Sequence, residues 1–146
     1  MTWTLVRFIH LLSAAIWVGG QAALFVAVPV IRAATPDAGP ILGTIGRRFG
    51  ALAGPALLLL LVTGMAQASH LELWDAREVR EKLGILIVVL VLTAIHGVLG
   101  ARIAKAPAGS GEVERLRGYS RWISIANLVL GIAEIYLAAS LATSAA

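Results

Sequence analysis

At 146 residues the chain has room for one domain, and 59% of it is hydrophobic against 14% charged. A water-soluble domain sits nearer half apolar and a quarter charged, so this balance excludes an ordinary soluble globule and makes lipid the solvent of much of the surface. The net charge of +4 would suit a nucleic-acid binder, but the basic residues gather at the ends of apolar segments, the pattern that orients membrane helices, which sets nucleic acid aside; the absence of cysteine excludes disulfides, thiolate metal sites and iron–sulfur clusters.

A helix needs about 20 apolar residues to cross a bilayer, because backbone groups cannot go unpaired in hydrocarbon. The first such stretch covers about residues 3–31. Its apolar run from Phe8 to Ile31 is longer than the ~7–15 residues of a signal-peptide core, so it reads as a span. It carries Arg7, His10, Ser13, Trp17 and Gln21. Residues 33–40 contain Pro36 and Pro40 and read as a turn.

The second span covers about residues 49–69. Gly46, Gly50 and Gly54 recur at every fourth position at its start, a spacing that lets a neighbouring backbone come close; Pro55 follows and predicts a kink. Thr63 and Gln67 are its polar residues, and His70 stands at its end. Residues 70–81 (HLELWDAREVRE) are helix formers of mixed charge and read as a short interfacial helix with Trp74 at headgroup depth. That helix serves either as a solvated connector or as a lid over a site beneath it.

The third span covers about residues 83–103, entered by Lys82 and containing Thr93 and His96. Residues 106–111 (APAGSG) form a small-residue linker, and the fourth span covers about residues 122–143 with Asn127 and Glu134. The fold expected is an all-α integral membrane protein, an up-down four-helix transmembrane bundle forming one domain over residues 1–146.

Arg32, Arg47, Arg48, Arg102, Lys105, Arg115, Arg117 and Arg121 flank the first and third loops, against Arg7, Arg77, Arg80 and Lys82 on the other side. The positive-inside rule makes the first and third loops cytoplasmic. Both termini are then non-cytoplasmic, in a multi-pass protein of the cell (inner) membrane.

Charged and polar residues inside spans mark a functional site or a buried partner. At about 100° per residue, Arg7, His10, Trp17 and Gln21 fall near one stripe of the first helix. Lys82 and His96 share a broad face of the third, and Asn127 and Glu134 a stripe of the fourth. A bundle turns such stripes inward. From a rise of ~1.5 Å per residue, His10 and His96 differ in depth by roughly 10–15 Å. As a bis-histidine pair for a haem they fit only with tilt, and His70 matches His10 in depth better; the residues leave the pairing open. Glu134 reads either as a structural ion-pair partner of Arg7, Lys82 or protonated His10, or as a protonated relay working with His10.

RFIHLLSAAIWVGG (residues 7–20) resembles the opening helix of two related groups of membrane proteins, the CopD-like copper-resistance family and the HemJ-type protoporphyrinogen oxidase family. RRFGALAGPALLLLLVTGMAQA (residues 47–68) is similar to the CopD pattern, and KLGILIVVLVLTAIHGVLGAR (residues 82–102) to the HemJ pattern; together they cover about half the chain. The HemJ resemblance implies haem b, with His10 as an axial ligand, His96 as the later histidine, and Lys82 or Arg7 beside the propionates. The fourth helix departs from that pattern. The expected function is a haem b-binding membrane protein in electron transfer or a membrane-linked oxidation, with the bilayer and a quinone or another redox protein as partners and a second copy of the chain as a further candidate. The CopD resemblance implies copper transport instead, with His10 and His96 as metal ligands, although copper sites favour Cys, Met and His and the methionines here are only Met1 and Met65. A non-catalytic structural bundle is the third reading.

Overall fold

The computed structural model describes residues 2–107 and 109–144; Met1, Ala108 in the third linker, Ala145 and Ala146 lie outside it. Four helices are long and apolar enough to cross a membrane: Thr2–Ala34, Ala38–His70, Arg77–Lys105, and a fourth that runs Gly111–Ser144. In the most apolar 18-residue stretch of each helix no more than 22% of residues are buried inside the protein. Leu, Ile, Val and Phe side chains therefore cover the outside, and the protein is a multi-pass membrane protein.

The helices are longer than the apolar runs. The second begins at Ala38 and the fourth at Gly111, each eleven residues before the span expected from hydropathy, at 49 and 122. A 33-residue helix spans about 50 Å, against ~30 Å of hydrocarbon, so its ends stand in the interfaces, where charged residues can continue a helix. Pro29 and Pro55 lie within unbroken helices.

The expected interfacial helix is not a separate element. The second helix ends in a Schellman motif: Leu73 N–H bonds the Ala68 carbonyl (2.9 Å), Glu72 N–H bonds the Ser69 carbonyl (3.4 Å), and Glu72 takes the left-handed conformation at φ 53°. This reversal spends residues 71–76 on turns. The helix formers after it, from Arg77, become the first turns of the third membrane helix, where Arg77 Nε bonds Glu81 Oε1 at 2.6 Å on the surface.

The first helix packs on the second along its length, the second touches the third, and the third packs closely on the fourth. The fourth returns to the first only at residues 15–34. Ala15–Gly19 form a π turn, a wide turn often found at functional sites. The half of the bundle that carries Thr2 and Ser144, here the upper half, is consequently open on its first–fourth side, while the lower half is closed.

A core layer of Trp17, Ala53, Leu57 and Val89 sits across the bundle, with Val18, Phe49, Leu86 and Leu130 around it. Glycines let the helices close on this layer. A methyl group on Gly131 would lie 2.8 Å from Trp17 Cζ3 and 3.2 Å from Val18 Cγ2, and one on Gly20 would collide with the Phe49 ring. The glycines expected to do this do not: nothing lies within 4 Å of a Cβ built on Gly46, Gly50 or Gly54. Four-residue spacing gives a smooth stripe, but the stripe here faces outward.

Candidate functional site

The splay of the upper half creates a cavity of about 290 Å³. Trp17 and Gly131 form its floor, and Leu73 and Trp74 lie over it from the Schellman turn. Trp74 is steadied by its Nε1–H bond to Ser69 Oγ (3.2 Å). The walls are mainly Leu, Ala and Val; the titratable side chains on them are His10, Lys82 and Glu134. Part of each expected polar stripe meets here, His10 and Trp17 of the first helix, Lys82 of the third and Glu134 of the fourth, whereas Arg7, Gln21, His96 and Asn127 do not line the cavity.

His10 is held in one orientation. Thr63 donates its hydroxyl hydrogen to the Leu59 carbonyl, with the Leu60 carbonyl also in reach at 3.5 Å. The single hydroxyl hydrogen is thereby used, so Thr63 Oγ1 accepts the 2.9 Å bond from His10 and His10 donates from Nδ1. The neutral ring then keeps its lone pair on Nε2, the arrangement of a histidine prepared to ligate a metal or take a proton. Gly64 lets the ring approach: a Cβ there would stand 3.3 Å from His10 Cε1. Gln67 Nε2 bonds the Thr63 carbonyl at 3.2 Å and also reaches the wall. Sequence inspection singles out Thr63 and Gln67 as polar residues of the second span but has no means of joining them to His10, 53 positions away.

Lys82 and Glu134 both line the cavity. Among the described residues only Arg77 and Glu81 close to salt-bridge distance, and Glu134 Oε1 is buried without a hydrogen-bond partner. Of the partners considered for Glu134, Lys82 and His10 line the cavity with it, whereas Arg7 is exposed and does not.

The other histidines lie elsewhere. His70 stacks on Trp3, ring centroids 3.6 Å apart and planes within 5°, clipping the upper ends of the first two helices together. His96 lies in the lower half, with Nδ1 3.4 Å from Ser120 Oγ. The first and third helices run in the same direction; His10 precedes Trp17 by seven residues and His96 follows Val89 by seven. With Trp17 and Val89 in one core layer, the two histidines are about 20 Å apart in depth at ~1.5 Å per residue. They do not form a ligand pair, and neither does His10 with His70. Near His96, Asn127 is 5% exposed, donates to Thr93 Oγ1 (3.3 Å) and leaves its Oδ1 unpartnered. No group of three or more His, Cys, Asp or Glu among the described residues is arranged to hold a metal ion.

Fold and site together define a class, polytopic four-helix membrane proteins with an apolar, polar-backed cavity opening in one half of the bundle. Residues 12–112 match a family described as a domain of unknown function, DUF4149, and the chain belongs to that family. The matched region takes in Trp17, Thr63, Lys82 and His96; His10 and Glu134 fall outside it. The chain is also similar to an uncharacterized protein of Aquifex aeolicus (strain VF5), 28% identical over 133 residues that cover 89% of this chain and 88% of the other. No solved structure matches.

Proposed function

We propose that this protein binds haem b in the upper cavity and takes part in electron transfer or a membrane-linked oxidation. The observation that carries the reading is His10, fixed by Thr63 as its Nδ1–H tautomer on the wall of an apolar cavity. At about 290 Å³ the cavity falls just short of the ~300–1,000 Å³ of small-molecule sites, so a haem would extend through its open side. The donors fit the group. His10 on the first helix and Met65 on the second both line the cavity and would be the residues to hold the iron, imidazole and thioether being established haem donors. Lys82 supplies a cation for a propionate, and the Leu and Val walls exclude water. The haem, when bound, supplies one-electron chemistry. The lysine and arginine distribution supports a cytoplasmic lower half and non-cytoplasmic termini, which puts the cavity on the outer side of the cell membrane, within reach of a quinone or another redox protein.

The test is a reduced-minus-oxidised absorption spectrum of the purified protein in detergent. A b-type α band stoichiometric with protein, lost in His10→Ala and kept in His70→Ala and His96→Ala, is the expected result. A protein that stays colourless after haem supplementation sinks the reading. Copper handling is the second reading, since His10 and Met65 both line the cavity and are copper-type donors; bound copper without a porphyrin spectrum would select it.

A further inference from the structure

We infer that the cavity fills sideways from the lipid, through a portal between the upper halves of the first and fourth helices, and that what enters is a flat amphiphile bearing carboxylates. This rests on the haem reading above and adds the route and the orientation of entry. Three observations carry it.

The first is the gap itself. Among the described residues, no Cα of Thr2–Ala14 comes within 8 Å of a Cα of the fourth helix, whereas the same two helices meet at Trp17 and Gly131 just below. The second is the state of the portal's edges. Leu11 on one side and Ile135 on the other both line the cavity, yet they are 62% and 52% exposed. In a membrane such exposure is contact with lipid, so acyl chains and cavity share these side chains. The third is that the cavity is covered above and below. Leu73 and Trp74 overlie the cavity toward water, and the core layer of Trp17, Leu57 and Val89 closes it below.

The chemistry of the walls selects the occupant. The portal edges Leu11, Ile135, Ala138 and Leu141 carry no polar side-chain atom, and Lys82 is the one Lys or Arg on the lining. A molecule with an apolar body and an anionic edge satisfies both, its carboxylate against Lys82 and its body along the portal.

The experiment uses the full chain, without haem, in phosphatidylcholine nanodiscs. Ala138→Trp narrows the portal and Trp74→Ala thins the cover. Haemin is added from the lipid phase, and the rise of the Soret band is followed by stopped flow. Ala138→Trp is expected to slow uptake several-fold while leaving the final spectrum unchanged, and Trp74→Ala to leave the rate unchanged. Faster uptake in Trp74→Ala with no effect of Ala138→Trp overturns the inference in favour of entry from water.

A second readout is independent of haem. The chain contains no cysteine, so Ala14→Cys places a single thiol on the cavity wall. A membrane-soluble maleimide should label it faster than a charged, impermeant one, and Ala138→Trp should slow that labelling. Labelling that follows this pattern in a protein with no Soret band retains the portal and removes the haem. A Soret band with uptake and labelling both indifferent to Ala138→Trp retains the haem and removes the portal.

Discussion

Gly131→Ala tests whether the first and fourth helices truly meet at the cavity floor. The added methyl would sit 2.8 Å from Trp17 Cζ3 and 3.2 Å from Val18 Cγ2. Carbon atoms prefer about 3.5–4.0 Å, so the indole must retreat by about 0.7–1.2 Å. Trp17 is 3% exposed and wedged against Ala53, Leu57 and Val89; its free side is the cavity. Overpacking of this kind costs about 1–3 kcal/mol, partly offset by the ~1 kcal/mol that alanine gains over glycine within a helix. Gly97→Ala provides the reference, because nothing lies within 4 Å of a Cβ at Gly97 and only the helix-propensity gain applies there. Thermal unfolding in detergent should rank Gly97→Ala above wild type and Gly131→Ala below Gly97→Ala by about 1–3 kcal/mol. Equal stability of the two variants would mean that the helices do not touch at Gly131, and the wedge shape of the bundle would fall with that contact.

Thr63→Val keeps the side-chain shape but leaves the His10 Nδ1–H without its acceptor; it should cost about 1–3 kcal/mol, and nitrogen NMR of the imidazole should show the tautomer preference weakened. Thr63→Ser should restore both, and an equal loss in the two variants would assign the effect to the methyl group. Glu72→Gly relieves a left-handed residue at the end of the second helix and should raise unfolding stability by about 1 kcal/mol; a loss would mean that the carboxylate has a role beyond its backbone geometry. Gly20→Ala should destabilise through the Phe49 ring, and Phe49→Leu in the same chain should recover most of the loss, read by the same melts. Thr93→Val takes the acceptor from the Asn127 amide, whose Oδ1 is already unpartnered, so it should be more harmful than the pair Thr93→Val with Asn127→Leu, in which both polar groups are gone.

The four spans were legible because lipid imposes a one-dimensional rule: a run of apolar residues long enough for the bilayer must be helical. Their ends were not, because beyond the hydrocarbon the rule lapses. Residues 38–48 and 111–121 extend the helices through local packing, with Ala38, Val113 and Leu116 buried and Ser110 Oγ accepting from Val113 N–H, for which hydropathy gives no signal. The segment 70–81 shows the opposite limit. Its composition correctly indicates helix, but a Schellman reversal at Glu72 decides where that helix starts, and a left-handed glutamate leaves no mark in the sequence. The inward stripes of His10, Lys82 and Glu134 followed from periodicity alone. Their meeting in one cavity, and the exclusion of His96 and His70 from it, depend on the relative depth of the helices and on where two of them separate. Spacing along one helix contains neither quantity. The glycines make the same point: Gly46, Gly50 and Gly54 have the spacing of a packing face, yet isolated Gly20, Gly64 and Gly131 are the positions pressed by a neighbour.

A bundle shut in one half and parted in the other does not take equal area from the two leaflets. Around the closed half, lipid chains meet a tight perimeter; around the parted half, they press on two helix edges with a space behind them. The lateral pressure of that leaflet then acts as a closing force on the first and fourth helices. Spin labels at Leu11 and Ile135 should accordingly draw together in bilayers of high chain pressure and relax apart in detergent, and a separation indifferent to the surrounding lipid would show that the floor contact alone sets the gap.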